Sequence, residues 1–256
     1  MIEFDKYSET KPLKKNYLDY VGTGLLFSTI PDFDNFENAF FAGIKEKLPF
    51  KREIPKREFQ FQVTSKNDFQ ASQKDLMQYI YEDNQEKPTI RLVAVNNALD
   101  FQCLPLKDQY EGFGVFLDKI IEILDLFFEI YNEKINLSSL ILRKVNKFPY
   151  NEYKDRIGAD LLSEKELFGD NISRSFKEII CSYENKIIEI RNGILPNNIQ
   201  DNKDIIFDYI IKINNSTLLK NNSEEIKKQL VQFNLLAYNI FTQTIGENFF
   251  NDLKRE

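Results

Sequence analysis

Two short runs, Thr89–Val95 and Ala98–Leu104, are separated by nothing but Asn96-Asn97. In the second run Leu99, Phe101 and Cys103 alternate with Asp100 and Gln102. That is the two-residue period of a strand with one face in a core and the other in water. Asparagine tolerates the positive φ of a tight turn, so the pair specifies a β-hairpin. Shortly afterwards the period changes. Gly112–Tyr131 places Phe113, Phe116, Leu117, Ile120, Ile121, Leu124, Phe127, Phe128 and Tyr131 at helical spacing, with Asp118, Lys119, Glu122, Asp125 and Glu129 opposite. Hairpins in series with long one-sided helices predict an α+β fold: a largely antiparallel sheet built from hairpins, with amphipathic helices packed on one face.

The rest of the chain repeats this alternation. Tyr17–Ile30 reads as a strand containing Gly22 and Gly24, punctuated by Pro31-Asp32. Asp34-Asn-Phe-Glu37 has the spacing of a capping box and opens a helix to about Lys47, with Phe36, Phe40, Phe41 and Ile44 on one face. A break over Pro49–Pro55 precedes strands at Phe59–Val63 and Leu76–Tyr81. Ile135–Phe148 reads as a long strand ended by Pro149. A polar connector follows, with a short helix near Leu161–Phe168. Ile172–Tyr183 and Lys186–Leu195 form a second hairpin, and Ile205–Ile213 a further strand. A helical region opens at Ser223, with Ile226, Leu230, Phe233, Ala237, Ile240 and Phe241 on its stripe. The reading is a single domain over 1–256, with a possible internal boundary at 149–171 between two sub-halves. There is no repeat of 20–50 residues.

The chain has no histidine. This excludes Ser–His–Asp and Cys–His catalysis, the zinc-protease helix and the common zinc fingers. Abundant Asn, Lys, Ile and Phe with no Trp fit a low-GC genome, a compositional reason for the same absence. A net charge of −6 argues against broad coating of nucleic acid or anionic membrane. Cys103 and Cys181 match no metal spacing and read as buried thiols. The leading residues lack the apolar core of a secretory signal, and no run approaches membrane-spanning length, so the expected location is the cytoplasm.

Each candidate site competes with a structural reading. Gly22-x-Gly24 lacks the third glycine of a dinucleotide fingerprint and reads as a bulge or bend. Asp32-x-Asp34 meets Phe36 where a calcium loop needs a ligand, and reads as helix capping. Tyr150-x-x-x-Lys154 lacks the Rossmann turn that would give its spacing meaning. Magnesium nucleases place an acid and a lysine two apart on a strand. Glu152-Tyr-Lys154 and Glu184-Asn-Lys186 have that spacing, with Asp160 or Asp170 as an earlier metal ligand. Glu184-Asn-Lys186 reads equally as a turn. Lys51-Arg52, in the basic stretch Lys45–Arg57 with Phe50, Phe59 and Phe61 nearby, is the candidate nucleic-acid surface, diluted by Glu46, Glu53 and Glu58. The most distinctive string is Leu142-Arg-Lys-Val-Asn146-Lys-Phe148. Alternation puts Arg143, Val145 and Lys147 on one face and Leu142, Lys144, Asn146 and Phe148 on the other. Arg143 and Asn146 are the candidate binding residues, with a structural ion pair as the competing role for Arg143.

Three strings carry a resemblance. Tyr110-x-Gly112-Phe113-x-x-Phe116 opens the long helix, Leu142-Arg143-x-x-Asn146 lies on the next strand, and Asn239-Ile-Phe241, with Thr244 and Ile245, sits in a late helix. Together they resemble a sporadically distributed, functionally uncharacterised prokaryotic family of roughly 250-residue α+β proteins. Members usually show Arg-Tyr where this chain has Arg143-Lys144, and often a tryptophan at the place of Phe113. The resemblance implies no catalytic residues. Its patchy distribution is typical of accessory genes, including those of defence and mobile-element systems. The expectation is a non-catalytic accessory or regulatory protein without cofactor or metal. It would act through a protein partner, with the product of a neighbouring gene as the candidate. The alternatives are a magnesium-dependent nuclease and a sequence-tolerant nucleic-acid-binding protein. Oligomeric state is not legible in the sequence.

Overall fold

The computed structural model describes residues 2–11, 13, 17–31, 33–63, 69–104, 112–131, 135–153, 157, 175–196 and 203–255. In chain order the elements are β1 (Leu18–Phe27), α1 (Phe33–Ile44), β2 (Phe50–Val63), β3 (Phe69–Glu82), β4 (Ile90–Val95) and β5 (Ala98–Cys103). Then come α2 (Phe113–Tyr131), β6 (Leu137–Pro149), α3 (Tyr150–Tyr153), β7 (Ser175–Tyr183), β8 (Lys186–Pro196), β9 (Lys203–Ile213), α4 (Ser223–Thr244) and α5 (Glu247–Arg255). The strands form one antiparallel sheet in the order β2-β3-β4-β5-β1-β6-β9-β8-β7, with the helices packed against it. The fold is α+β.

The topology repeats about its centre. Outward from the β1/β6 seam the order is β5-β4-β3-β2 on one side and β9-β8-β7 on the other. Each half runs strand, helix, hairpin strands, then a long helix. The midpoint of this strand and helix order lies between α2 and β6; the possible boundary at 149–171 is a separate reading. Most of that stretch, including Leu161–Phe168, lies outside the described residues.

Period-two alternation decides which side chains meet the helices. On β6, Leu140, Leu142 and Phe148 are buried, whereas Arg143 is exposed. Each half builds an aromatic cluster beneath its helices. Phe27, Phe33, Phe40, Phe127 and Tyr131 form one; Phe148, Tyr153, Phe207, Phe241 and Phe249 form the other. Ring pairs at these separations add to the burial of their area. α2 and α4 are tied by Lys227 to Asp118 at 2.9 Å and by the Ser223 hydroxyl to Asp125.

Three details depart from the sequence expectations. The segment read as a break is strand: β2 pairs with β3 from Phe50↔Glu82 to Val63↔Phe69, with Pro55 opposite Met77. β2 is the outermost strand, and an edge position tolerates proline. The capping box of α1 is not made. The helix starts at Phe33, and Glu37 turns into the core, accepting from the Tyr81 hydroxyl at 2.7 Å. α4 is capped by Asn222, whose side chain accepts from Glu225 N at 3.0 Å, one residue before the expected start. Among the described residues no helix is long and apolar enough to cross a membrane.

Candidate functional site

A cavity of about 400 Å3 lies on the helix-covered face where the halves meet. Leu18 of β1, Lys144 and Asn146 of β6 and Tyr209 of β9 form its floor. Gly112 and Phe113 at the start of α2, with Asn234, Tyr238 and Phe241 of α4, form its walls. Thr10, Lys11 and Leu13 close one side. The segment leading to them is held along α4 by two side-chain amides that imitate a strand partner. Asn239 accepts from Tyr7 N at 2.8 Å and donates to Tyr7 O at 3.1 Å, and Gln243 does the same for Glu3 at 2.8 and 2.7 Å.

Register explains the floor. Lys144 stands opposite Val21 on one side and Tyr209 on the other, in the middle of the sheet. The next row inward on that face brings Leu18 and Phe207 beside Asn146. The Lys144 ammonium donates to Asn234 Oδ1 and lies 4.9 Å from the centre of the Phe113 ring. Among the described residues it has no carboxylate partner. Burial disfavours the charged form and pulls its pKa from 10.5 down to about 8. Tyr209 is buried, and its hydroxyl makes no hydrogen bond of good geometry. Burial drives its pKa up. The nearby Thr244 hydroxyl, which donates to Ile240 O at 2.7 Å, only tempers that push.

The predicted binding residues divide between the two faces of the sheet. Asn146 lines the cavity. Arg143 lies on the open face, paired two-pronged with Asp208 at 2.9 and 2.8 Å and lying over the Tyr20 ring. Tyr20 in turn lies against Gly22, where a Cβ would come within 2.2 Å of its hydroxyl. The glycine serves this close approach. Lys51 sits against buried Glu37 at 2.5 Å and Glu53 at 2.9 Å. Burial pulls its pKa down, but the hydrogen bonds to these two carboxylates outweigh that and the net shift is upward. Arg52 grips buried Glu82 at 2.9 and 3.0 Å, and Arg91 reaches the same carboxylate at 2.7 Å. Both cations of the candidate nucleic-acid surface are therefore engaged in ion pairs.

Of the nuclease residues, Lys154, Asp160 and Asp170 lie outside the described residues. Glu152 is exposed on α3, just past the Pro149↔Asp204 end of the β6/β9 ladder. Glu184 and Lys186 lie at the β7–β8 turn, near the opposite end of β9. At about 3.3 Å per residue along β9, these positions are on the order of 30 Å apart. Glu184 has φ 52°, and Lys186 donates to it at 2.7 Å and to Asn185 at 3.3 Å, so the triplet is turn chemistry. Among the described residues no group of three or more His, Cys, Asp or Glu side chains is placed to hold a metal. Cys103 is buried, whereas Cys181, on edge strand β7, is half-buried.

Lys144 and Tyr209 were not singled out by sequence reasoning. The signal for Lys144 was its place between Leu142 and Phe148 on the apolar side of the alternation. For Tyr209, a tyrosine in an isoleucine-rich strand, there was none.

No protein-family model matches the chain, and no curated protein matches it. Solved structures give weak likenesses. The di-domain ARO/CYC StfQ from the steffimycin biosynthetic pathway has 8% identity and a TM-score of 0.18, over 91% of this chain and 98% of that one. The S. pombe Pct1 RNA triphosphatase in complex with the Spt5 CTD has 7% identity and a TM-score of 0.16, over 96% and 88%. A second structure, of S. pombe Pct1 RNA triphosphatase, gives 9% and 0.17, over 96% and 87%. Likenesses of this size carry no argument about fold or function.

Proposed function

We propose that this chain is a non-catalytic binding protein, an accessory or regulatory component that holds a small ligand in the central cavity and acts through a protein partner. The observation that carries the reading is the convergence of its distinctive strings on one chamber. Gly112 and Phe113 come from the first string, Asn146 from the second and Phe241 from the third, and all four wall the same cavity. Pockets of a few hundred Å3 lined by aromatic side chains, with a few inward polar groups, are the usual form of a small-molecule site. Kinship with the sporadic prokaryotic family, and a setting in defence or mobile-element systems, belong to the same proposal. For the nuclease alternative, Glu184-Asn-Lys186 is accounted for as a turn, and Lys154, Asp160 and Asp170 lie outside the described residues.

The test is a thermal-melt screen of the purified protein against a chemically mixed panel of metabolites, run beside Leu18→Trp, which fills the cavity floor. A ligand at about 100 times its Kd stabilises by roughly 2.7 kcal/mol, a shift of several degrees. The expected result is at least one compound that raises the melting temperature of the native protein and not that of Leu18→Trp. A panel without such a compound sinks the reading. Cleavage of DNA or RNA with magnesium or manganese, lost in Glu184→Gln or Glu152→Gln, would replace it with the nuclease.

A further inference from the structure

We propose that the cavity takes a monocarboxylate carried on an apolar or aromatic body, with the carboxylate seated on Lys144 and Asn146. The inference rests on the reading of the cavity as a ligand chamber and names what the chamber recognises.

The floor supplies donors in excess of acceptors. Lys144 has three N–H donors, and Asn234 Oδ1 takes one of them. Asn146 adds an amide on the same face. A ligand that offers acceptors and one negative charge satisfies both groups together, whereas a cationic ligand would meet the lysine head-on. The start of α2 points the same way. Gly112 and Phe113 line the cavity, and the first turn of this 19-residue helix carries no acidic side chain, so the positive end of its dipole is not answered from within the helix.

The charge count selects carboxylate over phosphate. One half-buried ammonium balances one negative charge. A phosphate monoester carries −1.5 to −2 at neutral pH, and its surplus would fall on Phe113, Phe241 and Leu13. The second cation at the cavity, Lys11, is exposed at its edge. The remaining wall, with Leu13, Leu18, Ala237 and Phe241, offers no charge and suits a hydrocarbon or ring. About 400 Å3 has room for a small acid and not for a folded partner's surface. Binding also has a proton signature. A carboxylate beside the amine favours its charged form, so Lys144 must take up a proton when the acid binds near pH 8.5.

The experiment is isothermal titration of the full chain with 4-phenylbutyrate and decanoate, each against its primary amide, and with phenyl phosphate. Titrations at pH 8.5 are repeated in two buffers of different ionisation enthalpy. The acids are expected to bind at least tenfold tighter than their amides and than phenyl phosphate, with proton uptake at pH 8.5. Lys144→Met should lose that tenfold preference and the proton uptake while keeping the amide's affinity. Asn146→Ala should weaken the acids several-fold. Equal affinity of acid and amide, or acid binding unchanged in Lys144→Met, overturns the carboxylate assignment and leaves the chamber standing. If the melt screen also yields no cavity-dependent ligand of any class, the chamber falls with it.

Discussion

A lysine ammonium held away from water without a carboxylate costs stability, and the cost can be followed with pH. Lys144 titrates near 8 in the folded chain and near 10.5 when unfolded. Below pH 8 both states carry the proton, and the penalty is fully present, about 3 kcal/mol for a shift of this size. Between pH 8 and 10.5 the folded state releases the proton first. The unfolded state then binds more protons, so this residue's contribution to stability rises with pH. Lys144→Met keeps the length and removes the charge. It should be more stable than the native protein by about 2–3 kcal/mol at pH 7, with the gap closing towards pH 10. Urea unfolding of both proteins at pH 7, 8.5 and 10 measures this, and the tyrosines with raised pKa values cancel in the difference. A variant less stable at pH 7, or a gap independent of pH, would mean the amine has a partner that satisfies it. The same residue marks what the sequence could show. Alternation put Lys144 on the apolar side with Leu142 and Phe148, so its place on the helix-covered face was legible. That no carboxylate would meet it depends on α2 and α4 arriving with Phe113 and Asn234, which no local pattern encodes.

At the scale of elements, α1 and the β2–β3 hairpin are joined by charges as well as by the ring contacts of Phe33 with Tyr79 and of Phe40 and Phe41 with Tyr81. Glu37 is 2% exposed, accepts from Tyr81 at 2.7 Å and holds Lys51 at 2.5 Å; one turn earlier, Asp34 accepts from Tyr79 at 2.7 Å. Removing a fully buried carboxylate strands the groups it satisfied. Glu37→Ala should therefore cost about 3–5 kcal/mol. Glu53 contacts the same Lys51 from a side chain that is 53% exposed, and Glu53→Ala should cost less than about 1 kcal/mol. Thermal or urea melts of the two variants decide the matter, and equal losses would show that the Lys51 pairs do not differ in the way their burial requires. The junction also explains the least legible part of the fold. Pro49, Pro55 and the run of charges between them look like loop chemistry in isolation. They are compatible with a strand because β2 is an edge and because Arg52 has Glu82 across the ladder to pair with. The hairpins at Asn96-Asn97 and Glu184-Asn185, by contrast, carry their turn residues in the sequence, and both appear where the pattern put them.

At the scale of the molecule, the two halves share more than an interface. β1 and β6 pair along their lengths from Leu18↔Asn146 to Phe27↔Leu137, so the seam is a ladder in the middle of one sheet. The cavity is walled from both sides, with Leu18, Gly112 and Phe113 from one half and Lys144, Tyr209 and Asn234 from the other. Separating the halves would strip both central strands of a hydrogen-bonded neighbour and open the cavity, so neither half has a state of its own worth occupying. Chains of this length often unfold through intermediates, and the shared ladder predicts that this one does not. The chain has no tryptophan, so Phe128→Trp in α2 and Phe249→Trp in α5 each place a single reporter in one half. In each variant, fluorescence and far-ultraviolet circular dichroism should follow the same urea curve, with one midpoint and one slope. A fluorescence transition that precedes the dichroism in one variant and follows it in the other would show the seam parting before the halves melt. A cavity built across that seam would then open and close with it, and the ligand's affinity would depend on how tightly β1 holds β6.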